Sequence, residues 1–233
     1  MAFAKIRRNG QWVDYWPQIR QNGQWHDAKT RVRQNGQWVD IPGRMVRAQR
    51  VAEFPATWTC SYYSDRRGNR QREWWGAIGH GNPYLVQGRY SPNHDTYDTG
   101  DQHSMIGFDD NAIRNTIKGS DIDSIQIYMK CVHTFYYGMA ARAVFGWHNS
   151  RQANPSFGWE NEHGMAWADF RRWQGRWVNL PNWFGDRLRD NSATGVTIKA
   201  DNLSNANYCI FDGTNGDRPR LRITYTHWEE RKQ

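Results

Sequence analysis

The stretch Trp159-Glu-Asn-Glu-His-Gly164 is dense in groups that could move a proton. Glycan hydrolysis needs two carboxylates facing each other about 5–9 Å apart, one to protonate the leaving oxygen and one to attack or to activate water. Glu160, Glu162 and Asp169 are the nearest local candidates, with His163 among them. Closeness in sequence says little about convergence in space, and Arg171 and Arg172 stand ready to balance the charge, so a solvated loop is the expected reading. There is no Gly-x-Ser-x-Gly elbow and no phosphate loop. No catalytic residue is assigned, and the chain is not expected to be an enzyme.

Metal chemistry is equally unsupported by spacing. His80, His94, His103, His133, His148 and His163 lack HxxxH or HExxH intervals. Asp95-Thr-Tyr-Asp-Thr-Gly-Asp101 alternates carboxylates that could hold Ca²⁺, but it lacks the order of an EF-hand and its closing Glu. No metal and no cofactor are expected. Cys60, Cys131 and Cys209 are odd in number and widely spaced, which suggests buried thiols rather than a disulfide framework or a zinc site.

The aromatics are the richer signal, with 14 Trp in 233 residues. Sugars lay apolar C–H faces on flat rings while polar side chains serve their hydroxyls, a combination of apolar wall and few polar groups common to ligand sites. Trp159, Trp167, Trp173 and Trp183, with Trp74, Trp75 and His148, are the candidate glycan contacts. The competing reading places most of these rings in a core or at a subunit interface.

The elements that must position them are strands. Hydrophobic residues make up 38% of the chain and aromatics 15%, with many Gly, Asn and Asp turn signals, a pattern of short strands and long loops. No apolar run is long enough for a membrane span, and the start Met1-Ala-Phe-Ala-Lys-Ile-Arg-Arg lacks a signal-peptide core. Neither export by such a signal nor membrane insertion is expected.

Residues 6–40 hold three head-to-tail segments: Ile6-Arg-Arg-Asn-Gly-Gln-Trp-Val-Asp14, Ile19-Arg-Gln-Asn-Gly-Gln-Trp-His-Asp27 and Val32-Arg-Gln-Asn-Gly-Gln-Trp-Val-Asp40. Asn-Gly between alternating residues marks a two-residue hairpin turn. Each repeat therefore reads as a hairpin carrying one Trp, at Trp12, Trp25 and Trp38, and one leading Arg, at Arg7, Arg20 and Arg33. Such short strands are not stable alone in water and need a covering partner. Residues 1–50 contain ten basic and three acidic residues, so this arm carries most of the +8 net charge. Alternating Arg and Trp superficially suits nucleic acid, but a fixed Trp position in a hairpin suits packing better, and nucleic-acid binding is the weaker reading.

Residues 45–53 read as a short helix or an extended linker. Strands are expected over Trp58–Tyr63, Tyr84–Tyr90, Ser104–Phe108, Ile122–Val132, Ala141–Trp147, Trp177–Leu180, Gly195–Lys199, Tyr208–Phe211 and Arg220–Tyr225. One helical connection is expected at Asp109–Ile117, with an Asp cap and Ile113 and Ile117 four apart. The segment 148–185 is Trp-dense and weakly periodic.

Gln87-Gly-Arg-Tyr90, Ser104-Met-Ile-Gly-Phe-Asp109 and Ile117-Lys-Gly-Ser-Asp-Ile-Asp-Ser-Ile-Gln-Ile-Tyr128 occur in that order, followed by Phe135-Tyr-Tyr137, Ala143-Val-Phe-Gly-Trp-His-Asn149, Trp177-Val-Asn-Leu-Pro181 and Pro219-Arg-Leu-Arg-Ile-Thr-Tyr225. This succession resembles a β-sandwich module at the C-terminus of tail and minor structural proteins of phages of Gram-positive hosts. It is also similar to the broader DNRLRE-type carbohydrate-binding sandwich, and the hairpins are similar to the Asn-Gly-x-Trp-Val repeats such proteins carry. The motifs are strand signatures rather than catalytic ones.

The resemblance implies an all-β chain: a hairpin repeat arm over 1–44 for attachment and oligomerisation, a linker over 45–53 and a jelly-roll-like β-sandwich over 54–228. It implies a virion protein, on the tail rather than the head, that forms a homotrimer, docks on other virion proteins through its arm and binds host-surface glycan. A purely structural decoration protein and a glycan-degrading tail enzyme are the alternatives.

Overall fold

Asn22-Gly23 and Asn35-Gly36 each close a two-residue turn between short antiparallel strands. β1 (Ala4–Arg8) pairs β2 (Gln11–Tyr15), β3 (Gln18–Gln21) pairs β4 (Gln24–Asp27), and β5 (Thr30–Gln34) pairs β6 (Gln37–Ile41), each as a separate two-stranded sheet. Asn22 and Gly23 have φ of 49° and 79°, Asn35 and Gly36 51° and 82°, and Gly10 80°. Positive φ at both central positions matches the right-handed twist of the flanking strands, and Gly and Asn adopt it at least cost. The register sets Arg7 opposite Trp12, Arg20 opposite Trp25 and Arg33 opposite Trp38.

A computed structural model describes residues 4–8, 10–15, 18–28, 30–41, 45–65, 68–72, 84–90, 101–153 and 164–230. The chain divides into two compact units, one of Met1–Arg50 with Thr226–Gln233 and one of Val51–Tyr225. The stretch 45–53 is extended rather than helical: it is the first part of a long strand, β7 (Met45–Asp65). Side chains tie it to β17 (Arg220–Glu230), with Arg222 pairing Glu53 at 2.7 Å, so the extended backbone is fixed by a neighbouring strand.

The second unit also contains β8 (Gly68–Arg72), β9 (Leu85–Gln87), β10 (Asp101–Phe108), β11 (Asp121–Thr134), β12 (Ala141–His148), β13 (Ala166–Phe170), β14 (Gly175–Leu180), β15 (Gly195–Ala200) and β16 (Cys209–Phe211). They join in the order β13-β12-β15-β10-β7-β17-β11-β16-β9, with β14 on β11 and β8 on β7. Gly88 and Gln102 exchange backbone hydrogen bonds of 2.8 and 3.0 Å, linking the end of β9 back to β10. Strands β10, β7, β17, β11, β16 and β9 thereby form a closed hydrogen-bonded ring. The chain is all-β, as expected, with two α-helices among the described residues.

The apolar positions of these strands converge on one core. Ile106, Phe108, Phe145, Phe170, Ile198, Ile125, Ile127, Phe211 and Ile223 are all buried in one cluster. Phe170 and Phe211 come from strands far apart in the sheet order, yet their rings meet edge-on at 5.0 Å. Each such side chain contributes about 1.5–3 kcal/mol by leaving water. Helix α1 (Asp110–Ile117) is capped by the Asp109 carboxylate, which accepts from Ala112 N, and buries Ile113 and Ile117. Helix α2 (Asn182–Arg189) was not expected; it buries Phe184 and Leu188, one helical turn apart, and its Gly185 lets Ile122 lie close against the backbone. No helix among the described residues is long and apolar enough to cross a membrane.

Candidate functional site

β12 and β13 alternate cleanly. Ala141, Ala143, Phe145, Ala168 and Phe170 face the core, which turns Arg142, Val144, Trp167 and Asp169 the other way. The antiparallel register sets Arg142 opposite Asp169 and Val144 opposite Trp167. Asp169 accepts two hydrogen bonds from Arg142, at 2.8 and 3.2 Å. The same guanidinium lies over the Trp167 ring, 4.3 Å from its centroid, while the indole stays 62% exposed. A two-pronged ion pair fixes the guanidinium plane, and the cation is attracted to the face of the exposed ring.

The backbone of Arg142 is held as well. Its N–H donates to Asn207 Oδ1 at 3.1 Å, and its carbonyl accepts from Gln87 Nε2 at 2.8 Å. Asn207 belongs to the polar loop 201–207, whose Asp201 joins Asp169 in raising the proton affinity of Arg142. One exposed ring, one guanidinium, carboxylates and loop amides therefore share a surface. The hydrogen bond from Arg142 lowers the pKa of Asp169, with help from the charges of Arg142 and Arg176. A carboxylate held ionised in this way is a poor proton donor near neutrality. Glu160, Glu162 and His163, its proposed catalytic neighbours, lie outside the described residues, as do Trp74, Trp75, Trp159 and Asp95–Gly100.

The other expected contacts are scattered. Trp173 is exposed in the turn between β13 and β14, with a φ of 68° that a bulky residue adopts only at a cost of about 1–2 kcal/mol. The neighbouring Arg172 sits over Tyr137 at 5.0 Å and donates to the Thr134 carbonyl. Trp183 opens α2 and is partly exposed; the Arg187 guanidinium lies 5.5 Å from its ring and 4.5 Å from that of Trp147.

His148 must be withdrawn from the ligand contacts. It is fully buried, its Nε2 lies 2.9 Å from the Ile106 carbonyl, and its Nδ1 accepts from Ser150 N at 3.2 Å. Both ring nitrogens are spent on backbone groups, which fixes the tautomer with the proton on Nε2.

Arg142, Arg187 and Tyr137 were missed. The partners of Arg142 and Tyr137, and the Trp147 partner of Arg187, come from other strands or turns, and only the alternation of Arg142 between Ala141 and Ala143 hinted at an outward position. Trp177 carries a different arrangement: Arg222 lies 3.9 Å from its ring, Arg222 pairs Glu53, and Tyr128 donates to Asp217 at 2.6 Å. That face is internally satisfied.

In the hairpins Trp12, Trp25 and Trp38 are 66%, 64% and 67% exposed, and the facing Arg7, Arg20 and Arg33 are exposed too. Arg7 Nε donates back to the Gly10 carbonyl at 3.4 Å. Among the described residues no group of three His, Cys, Asp or Glu could hold a metal ion. No protein-family model matches this chain, and no curated protein matches it in sequence.

Proposed function

We propose that this chain is a bacteriophage virion protein, of the tail rather than the head, that binds a glycan on the host surface. The observation that carries the binding reading is Trp167: an open indole beside an Arg142–Asp169 pair whose positions are already set. The ring offers an apolar face to a sugar's C–H groups; the guanidinium, the carboxylate and the loop amides serve its hydroxyls. Groups fixed before binding lose less freedom on binding.

The phage reading is supported by the order of motifs from Gln87 to Tyr225 and by the three Asn-Gly-Gln-Trp repeats. In this reading the closed series of strands is a jelly-roll-like sandwich that presents the ligand surface. The hairpins attach to other virion proteins and to sister copies in a homotrimer, which cover Trp12, Trp25 and Trp38. The test is a glycan array and a host cell-wall pull-down with the full chain. Binding that falls at least tenfold in Trp167→Ala supports the reading; absence of binding by the intact chain at high concentration overturns it.

A purely structural role is the second reading. Arg142 already covers part of Trp167, as a stack that only stabilises the β12–β13 edge would. In that case Trp167→Ala lowers thermal stability and no glycan is bound by either form.

A further inference from the structure

We infer that Cys131 and Cys209 join as a disulfide when the chain folds in an oxidising medium. The two residues stand on hydrogen-bonded neighbours, β11 and β16, at a local irregularity where Cys131 faces Phe211 and Thr134 faces Cys209. Their sulfurs are 3.0 Å apart, and both side chains are fully buried in the main core. Two sulfurs in ordinary contact keep a wider separation, and a bond of about 2.05 Å lies only about 1 Å from the spacing seen here. The third cysteine, Cys60, packs in a separate cluster with Tyr62 and Met105.

The chemistry balances with a disulfide oxidant such as oxidised glutathione. Each thiol gives up its hydrogen, two electrons and two protons pass to the oxidant, its disulfide becomes two thiols, and one S–S bond links Cys131 to Cys209. Burial pushes the Cys209 thiol well above its usual range, disfavouring the thiolate that must attack. Closure therefore belongs to the stage when β11 and β16 are meeting, not to the finished fold. Once formed, the bond is sealed from reductant by the same burial. It bridges positions 78 residues apart, a long loop whose closure restricts the unfolded chain. The inference stands independently of glycan binding.

The experiment refolds the full chain in a glutathione redox buffer, then denatures it and alkylates the remaining thiols. One alkylated site, at Cys60, together with a cross-linked peptide pair spanning Cys131 and Cys209 and a mass lower by two hydrogens, supports the inference. Three alkylated sites, or a link that includes Cys60, overturns it. Reduction during unfolding is expected to lower the Tm of the oxidised chain by about 5–15 °C. Cys60→Ser keeps that shift, and Cys131→Ala with Cys209→Ala abolishes it. If the double variant does not fold, the alkylation pattern of the native sequence still decides.

Discussion

Trp58 and His148 meet with ring centroids 5.4 Å apart above two glycines. The register places them in one row across four strands: Trp58 of β7 opposite Gly107 of β10, Gly107 opposite Gly195 of β15, and Gly195 opposite His148 of β12. A Cβ on Gly107 would stand 2.0 Å from the Trp58 ring, and one on Gly195 would stand 2.1 Å from the Ile106 carbonyl and 2.3 Å from His148 Nε2. Both glycines exist to let rings lie flat on backbone.

Gly195→Ala is therefore expected to destabilise the fold by about 2–3 kcal/mol, since rigid backbone blocks relaxation. Urea unfolding measures this. Gly119→Ala is the comparison: a Cβ there meets nothing within 4 Å, and its φ of 69° sets the penalty at about 1–2 kcal/mol. An equal or larger loss at Gly119 would contradict the packing argument.

Acid should weaken the protein through its buried histidines. Burial lowers the pKa of His148 from 6.5 to about 4, and burial with the nearby Lys199 charge lowers that of His103 to about 3. Both folded values lie below the unfolded one, so the unfolded chain binds the extra protons. Stability is fully present above pH 6.5 and is lost as pH falls toward 4, by roughly 3 kcal/mol per histidine. Urea midpoints between pH 7.5 and 4 should fall accordingly, and His148→Gln should flatten the slope. A flat wild-type profile would mean that neither ring is buried neutral.

At the proposed ligand surface, Arg142→Ala should weaken glycan binding by about tenfold or more, because it removes a hydrogen-bonding group and the support of Trp167 together. Its cost to the Tm should be small, since the ion pair with Asp169 is solvent-exposed. Isothermal titration beside a thermal melt separates the two effects. Unchanged affinity would move the ligand surface elsewhere.

The hairpins test assembly. Replacing Trp12, Trp25 and Trp38 by Ala should convert a trimer to monomers in solution mass measurements while leaving the unfolding of Val51–Tyr225 unchanged, because those rings lie outside that unit. A native monomer at micromolar concentration would remove the trimer from the proposal.

What could be read from sequence is what is encoded locally. Asn22-Gly23 and Asn35-Gly36 specify their turns by themselves, α1 carries its own Asp cap and its Ile113–Ile117 face, and β11 alternates over many residues. β13 was missed because in Ala166-Trp-Ala-Asp-Phe170 the small Ala168 is buried while the large apolar Trp167 faces out, which blurs the period. α2 begins after Pro181 with no side-chain cap, and its Phe184–Leu188 signal spans barely one turn. Arg142 and Asp169 are 27 residues apart, so their pairing follows only once β12 and β13 are in register. The burial of His148 was not legible because the glycine that makes room for it, Gly195, comes from another strand, β15.

The adjacency of β7 and β17 has a use in protein engineering. Glu53 pairs with Arg222, and Ala56 N donates to the Pro219 carbonyl at 2.8 Å, so Val51 and Tyr225 leave the unit side by side. A segment whose two ends emerge together can be spliced into a surface loop of another protein without prying that loop apart. Its ends can equally be joined by a short linker and the chain reopened at a different exposed turn.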